Sequence, residues 1–258
     1  MISHITPVAT VSTTLTRLVI QPEFKALYCD EATHMEGVYG QFRSVVSGLP
    51  NLTHLFILYH AVVDLYDESR LYHIRRGSFA HIVSHLKSCS LTDLTLDVEP
   101  ALKDLVRYIT MIDYIHDATP MTTFAGLSKL RNLNAPQDAF FSAKYGTFRA
   151  CHLPTTIESI GIMDLTYETK RYLKHLLDRR TEWPNLKNIK LGETPCNDQS
   201  VCSDGSSDDD ASESDEGERR KALEVDDSIY EQARSRGLRV EKVQDRTAWK
   251  KGWEGLGL

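Results

Sequence analysis

The chain of 258 residues contains none of the short motifs that mark common catalytic and cofactor sites. It has no Gly-x-Ser-x-Gly, no Gly-x-x-x-x-Gly-Lys-Ser/Thr, no His-Glu-x-x-His and no Gly-x-Gly-x-x-Gly. These absences exclude sites built on those motifs, and they predict a protein that is not an enzyme, with no catalytic residues and no cofactor. A hydrolase whose catalytic residues are scattered along the chain stays open as a weaker alternative.

Long apolar runs are also missing. No segment approaches the ~18 apolar residues of a membrane span, and the start, Met-Ile-Ser-His-Ile-Thr-Pro, lacks the basic and apolar stretches of a secretory signal. The five cysteines are odd in number and scattered, which favours reduced thiols, with Cys89 and Cys151 in or beside the core. We therefore expect an intracellular protein of the cytoplasm or nucleus that binds no membrane.

Clustered metal ligands are not evident either. The paired Cys-x-x-Cys motif is absent, and His81 and His85, four apart on an expected helix, have no third ligand nearby. Both histidines flank an apolar stripe, so a structural or surface role is the better interpretation. We predict no metal site.

An excess of charge of one sign is confined to a single segment. The formal net charge is −6, but residues 203–218 alone hold eight acidic side chains and no basic one, so the rest of the chain carries about +2. A nearly neutral body does not favour nucleic acid or an anionic membrane as partner.

The acidic stretch predicts a disordered insert over 196–221, because it cannot bury enough apolar surface to offset its ordering entropy. Three of its serines, Ser206, Ser207 and Ser212, each have an acidic residue three positions later. We predict that acidophilic kinases phosphorylate them, and phosphopeptide mapping would test this.

What the chain does contain is a repeated phrase, Leu-x-x-Leu-x-Leu or a close apolar variant. Its copies are Leu15/Leu18/Ile20, Leu52/Leu55/Ile57, Leu91/Leu94/Leu96, Leu130/Leu133/Ala135, Ile157/Ile160/Ile162 and Leu186/Ile189/Leu191. Two copies are preceded by the same Pro-Asn dipeptide, in the stretches 49–57 and 183–191. Self-similarity of this kind is typical of repeat proteins, and this phrase is the strand segment of a leucine-rich repeat.

The longer intervals between copies contain apolar residues at helical spacing. We expect helices over 67–87, 100–115 and 167–180. Strands that alternate with helices imply parallel strands joined by crossovers. The predicted fold is therefore α/β, a leucine-rich-repeat-like curved solenoid with parallel strands and with helices on the outer face.

One repeat domain is predicted over 1–195, interrupted by the insert at 196–221 and completed by a last helix–strand repeat over 222–245. In that last unit, Gly237 ends the helix and Leu238 is expected at the second leucine position of the phrase. Residues 246–258 have no period and are expected to form a C-terminal tail or cap.

In the last three residues of each phrase, successive side chains point to opposite faces of a strand. The two outer residues therefore share one face, and the middle residue points to the other. Outer positions are apolar in all six copies, whereas the middle positions vary: Val19, Phe56, Thr95, Asn134, Gly161 and Lys190. We predict that the middle positions form one solvent-facing or partner-facing surface. The predicted protein-binding residues are Phe56, Thr95, Asn134 and Lys190. As an exposed aromatic, Phe56 is expected to be the strongest anchor.

The phrases at 49–57, 153–162 and 183–191, with Ala-Arg-Ser-Arg-Gly-Leu-Arg-Val at 233–240, resemble the divergent leucine-rich repeat region of fungal F-box-type proteins. The resemblance implies repeats that hold a substrate, and an amino-terminal F-box that docks the adaptor of a cullin-RING ubiquitin ligase. No F-box is recognisable in this chain.

Two hypotheses about function follow. The leading one is a non-enzymatic protein–protein interaction scaffold that binds a partner on its sheet face. The alternative is a substrate-recruiting F-box/LRR-type component of a cullin-RING ubiquitin ligase, which requires an F-box that is missing here or unrecognised.

Overall fold

The computed structural model describes residues 14–20, 23–25, 43–62, 83–98, 123–144, 147–163, 165, 169–192, 227–243, 246–250 and 253. Several sequence predictions lie outside these residues. They are the helix over 100–115, most of the helix over 67–87, His81, and the insert at 196–221 with its three serines.

The described part of the chain contains ten strands. They are β1 (Arg17–Ile20), β2 (Glu23–Lys25), β3 (His54–Val62), β4 (Asp93–Val98), β5 (Asn132–Pro136), β6 (Phe141–Lys144), β7 (Thr147–Ala150), β8 (Ser159–Met163), β9 (Asn188–Gly192) and β10 (Arg239–Val243). Seven of them, β1, β3, β4, β5, β8, β9 and β10, pair as parallel neighbours in chain order, and β2 pairs with the end of β3. Strands β6 and β7 form a separate antiparallel hairpin. The α/β class with a parallel sheet is confirmed.

The repeated phrases fall into register across this sheet. The residues at the second apolar position of the phrases are paired across neighbouring strands in chain order. They are Leu18, Leu55, Leu94, Leu133, Ile160 and Ile189. The five from Leu55 onward are buried, and Leu18 packs against the same cluster. We term the face that carries these side chains the core face. Because side chains alternate along a strand, the middle positions point to the opposite face, termed the front face.

The described helices pack on the core face. They are α1 (Thr169–Asp178), α2 (Asp227–Ser235) and the helical residues 43–47 and 83–86. The predicted helix over 167–180 corresponds to α1, whose buried side chains Tyr172, Leu173, Leu176 and Leu177 join the main core. No helix among the described residues is long and apolar enough to cross a bilayer.

The loop before each strand repeats the same hydrogen bonds. The carbonyl oxygen of Thr53 accepts from the backbone N–H groups of both Thr92 and Asp93, at 2.8 and 3.0 Å. The equivalent carbonyls of Thr16, Thr92, Arg131 and Glu158 each accept two N–H groups from the following copy in the same way. The phrases are therefore equivalent units in structure as well as in sequence, each bonded to the one before it.

The last unit, α2 followed by β10, ends its helix as predicted. Gly237 has a φ of +72°, its N–H donates to Arg234 O at 3.0 Å, and the N–H of Leu238 donates to Ala233 O at 2.9 Å. These two hydrogen bonds end a helix at a glycine in the left-handed conformation.

The predicted alignment of Leu238 with the second leucine position is wrong by two residues. Val240, not Leu238, pairs with Ile189 of β9. The reason is local, since Leu238 is the residue after the glycine and packs, with Ala233, into the main core. It therefore belongs to the helix stop and precedes the strand.

Candidate functional site

The front face carries rows of side chains that run across the strands. Its middle row is the middle position of the phrase, and strand pairing places Val19, Phe56, Thr95, Asn134, Gly161, Lys190 and Glu241 side by side. The row before it runs Arg17, His54, Asp93, Asn132, Ser159, Asn188 and Arg239. The candidate binding residues Phe56, Thr95, Asn134 and Lys190 therefore lie at equivalent positions on one face of the sheet.

Phe56 is not exposed, and the prediction of an open aromatic anchor is wrong. Its side chain is 0% exposed because Trp253 covers it, with ring centroids 5.5 Å apart in an edge-to-face arrangement. Leu58 completes a small buried cluster with these two rings, and Val19 packs against it. The alternation identified the face correctly but carried no information about what covers it.

The other predicted residues are partly covered as well. Thr95 is buried, which contradicts its expected exposure, and its Oγ1 accepts a hydrogen bond from Asn134 Nδ2 at 3.1 Å. Asn134 and Lys190 are half-buried. The middle row is therefore the floor of a site that another part of the chain occupies.

A second tryptophan covers the far end of the same face. Trp249 ends a short 3₁₀-helix and lies against β8 and β9, where Gly161 and Gly192 have no side chains. A Cβ at Gly192 would lie 3.0 Å from Trp249 Cζ2, and a Cβ at Gly161 would collide with both Trp249 Cζ3 and Asn134 Oδ1. The two glycines thus form a notch that fits one indole ring. We term residues 246–250 and 253 the tryptophan strap.

A polar network centred on Asp93 lies in the row before the middle row. Asn132 Nδ2 donates to Asp93 Oδ1 at 2.6 Å, and the Thr92 hydroxyl donates to Asp93 Oδ2 at 2.6 Å. His54 Nε2 lies 3.2 Å from the same Oδ2. Because several donors share one carboxylate, the network holds these side chains in place across three neighbouring strands.

A cleft of about 400 Å³ lies between the strap and this network. Its walls combine carboxylate, amide and indole groups with two cations, and they include Arg17, Asp93, Asn134, Lys190, Trp249 and Trp253. The guanidinium carbon of Arg17 lies 4.8 Å from the centroid of the Trp253 ring, which is cation–π distance. The cleft is therefore polar and carries charges of both signs.

The shifted pKa values belong to groups of the core side. Burial raises the pKa of the Cys151 thiol to about 12, and burial together with Cys151 raises that of Tyr172. Burial also raises the pKa of Cys89, and burial followed by the Arg179 charge lowers that of His175. A protonated, buried thiol is a poor nucleophile. The predicted places of Cys89 and Cys151 in or beside the core are confirmed.

Within the part of the chain that the structure describes, no group of three His, Cys, Asp or Glu side chains is placed to hold a metal ion. His85 is one of the helical residues 83–86, is half-buried and interacts with a partner of its own.

Comparison with known protein families, curated proteins and solved structures finds no match to this chain. The candidate site therefore rests on its geometry.

The sequence analysis did not assign Trp249, Trp253 or Asp93 to the site. Two sequence signals point to the strap. The tryptophans stand four residues apart in a segment without period, and Gly161 occupies a middle position where every other copy of the phrase has a side chain.

Proposed function

We propose that this chain is a non-enzymatic scaffold of the leucine-rich-repeat type that binds another protein on its front face. The observation that carries the proposal is the docked strap. The front face holds a segment of polypeptide through two indole rings, one in a glycine notch and one in an aromatic cluster. A surface that accepts one segment in this way has the shape and chemistry to accept another.

Three features support the leucine-rich-repeat interpretation. The paired strands follow chain order, the loops before them repeat one carbonyl pattern, and the described helices pack on the core face. In a solenoid of this type the strands line an extended surface opposite the helices, and partners bind there. The middle row lies on that surface.

The chemistry of the front face also suits a polypeptide partner. Aromatic and arginine side chains dominate binding energy at protein interfaces, and Phe56 and Arg17 both contact an aromatic ring here. The amides of Asn132 and Asn134 can bond to backbone groups of an extended segment. Lys190 adds a cation at the cleft wall.

Affinity purification of the full chain with mass spectrometry tests the proposal. Lys190→Glu reverses a charge in the cleft and should lower the yield of front-face partners at least roughly ten-fold, because a favourable charge contact is replaced by a like-charge contact. Lys174→Glu is the matched control, because Lys174 is exposed on α1, on the core side.

Three results can be told apart. Loss of partners with Lys190→Glu alone supports the front face as the binding site. Equal capture by wild type and both variants contradicts it. A cullin-RING adaptor that both variants capture equally would favour the ubiquitin-ligase alternative.

A further inference from the structure

We propose that the tryptophan strap is an internal ligand that competes with the partner for the front face. The partner's matching segment then carries two aromatic side chains four residues apart, as Trp249 and Trp253 are. This inference rests on the proposed function, since it names the ligand class and the regulation of the same face.

The strap packs as a unit separate from the main core. Trp253 belongs to the small cluster with Phe56 and Leu58, and the main cluster of described core residues contains neither Trp253 nor Trp249. The third tryptophan, Trp183, lies within the main core. Because local openings follow such packing units, the strap can leave the face while the core stays folded.

The front face offers one subsite for each indole. A glycine within a strand often marks a close approach by another group. The Trp249 ring approaches Gly192 and, together with the Asn134 side chain, Gly161. At the other subsite, Trp253 contacts both the Arg17 guanidinium and the edge-to-face ring of Phe56. Two subsites at fixed positions on the sheet therefore select a ligand whose two aromatic rings have the matching spacing.

The strap leaves room for a better ligand. The cleft of about 400 Å³ lies between the strap and the network around Asp93, so the strap does not contact the whole face. A partner that places two rings in the same subsites and also fills this cleft would gain polar contacts that the strap lacks. Such a partner can displace the strap without a change in the fold.

The strength of this competition follows from the covalent connection. A tethered ligand acts at an effective concentration on the order of millimolar, so even a strap of weak intrinsic affinity occupies most of the face. If the strap leaves the face free about 1% of the time, the apparent affinity for the partner falls about 100-fold. Removal of the two rings should restore most of that affinity.

The test uses a fluorescein-labelled peptide of residues 244–258, Gln-Asp-Arg-Thr-Ala-Trp-Lys-Lys-Gly-Trp-Glu-Gly-Leu-Gly-Leu, and full-length proteins. Fluorescence anisotropy measures its binding to wild type and to the Trp249→Ala/Trp253→Ala double variant, whose subsites are uncovered. We expect the double variant to bind the peptide at least about ten-fold more tightly than wild type. A peptide with both tryptophans replaced by alanine should not bind.

A matched pair of glycine variants tests the notch. Gly192→Ala, added to the double variant, places a Cβ 3.0 Å from the position of Trp249 Cζ2, with its three nearest atoms all in that ring, and should strongly weaken peptide binding. Gly126→Ala is the control, because its Cβ would meet only the flexible Lys87 side chain in an exposed loop. Peptide binding that is unchanged by Gly192→Ala would overturn the assignment of the notch.

A second measurement applies even if the double variant fails to fold. In Trp183→Phe, intrinsic fluorescence reports on Trp249 and Trp253 alone, because the chain has three tryptophans. Their emission should shift to the red at a lower urea concentration than the loss of far-UV circular dichroism. Coincident transitions would overturn the proposal, since the strap would then be an integral part of the core.

Failure of this inference differs from failure of the proposed function. If Lys190→Glu abolishes partner capture but the folded double variant neither binds the peptide nor captures more partner, the strap is a structural cap and the scaffold stands. If the double variant binds the peptide but Lys190→Glu leaves the yield of captured partner unchanged, the strap is an internal ligand on a face that does not recruit that partner.

Discussion

A double-mutant cycle on Phe56 and Trp253 tests whether the strap is docked in solution. Both side chains are buried, at 0% and 7% exposure, and truncation of a well-packed Phe or Trp to Ala costs about 3–5 kcal/mol. Leu58 keeps part of the cluster packed, so we expect the lower end, about 3 kcal/mol, for each single change.

The two changes should not add. The rings meet edge to face at 5.5 Å, an arrangement that contributes about 0.5–1.5 kcal/mol beyond the buried area. Once Trp253→Ala has uncovered the face, Phe56 loses its burial as well, so its truncation costs less. We expect a coupling energy on the order of 1–3 kcal/mol.

Urea unfolding of wild type, the two single variants and the double variant measures this coupling. The control pair is Leu55→Ala with Trp253→Ala, because Leu55 is adjacent to Phe56 but points to the core face. The control pair should be additive within about 0.3–0.5 kcal/mol. If Phe56→Ala and Trp253→Ala are equally additive, or if Phe56→Ala costs only a few tenths of a kcal/mol, Trp253 does not cover Phe56 and the site described here is wrong.

Three further outcomes are expected. Leu55→Ala and Ile189→Ala should each lower the free energy of unfolding by about 2–5 kcal/mol through cavity formation. Lys190→Glu places a second carboxylate opposite Glu241 and should lower it by no more than about 1 kcal/mol. The pKa of Cys151 in the folded protein, about 12, exceeds its ordinary value of 9.0. The contribution of the protonated thiol to stability is therefore complete below pH 9 and is lost as the pH rises toward 12. Over that range, the free energy of unfolding of wild type should fall more steeply than that of Cys151→Ala. Limited proteolysis should cut within 196–221 before any other internal segment, and a protected segment there would contradict the predicted insert.

The strands and their register could be predicted because the phrase encodes both. Apolar residues at its second and third positions define one face of a strand, and identical spacing in successive copies places Leu55, Leu94 and Leu133 opposite one another. The helix stop at Gly237 was equally local. The register of β10 could not be predicted in this way. Leu238 has the sequence context of a strand position, but it belongs to the end of the helix.

What covers the front face could not be predicted from alternation. A period of two assigns a side chain to a face, but whether that face meets water depends on segments far away in the chain. Trp249 and Trp253 lie in a stretch without period, so the alternation within the phrases did not link them to Phe56 or to Gly161. Their docking depends on shape, a notch without Cβ atoms and an aromatic cluster, and shape of this kind is visible only after folding.

The burial of Phe56 contradicts its predicted exposure, but Phe56 stays part of the candidate binding face. An exposed Phe56 would have been a candidate anchor with no known ligand. A Phe56 that already holds an indole ring, beside Arg17 at cation–π distance from the same ring, shows which chemistry the position accepts. The same argument applies to Gly161, which has no side chain to offer a partner but whose missing Cβ admits the second ring. The middle row therefore favours a ligand through the ring it buries and the side chain it lacks, and in the competition that we propose a partner has to match both subsites to displace the strap.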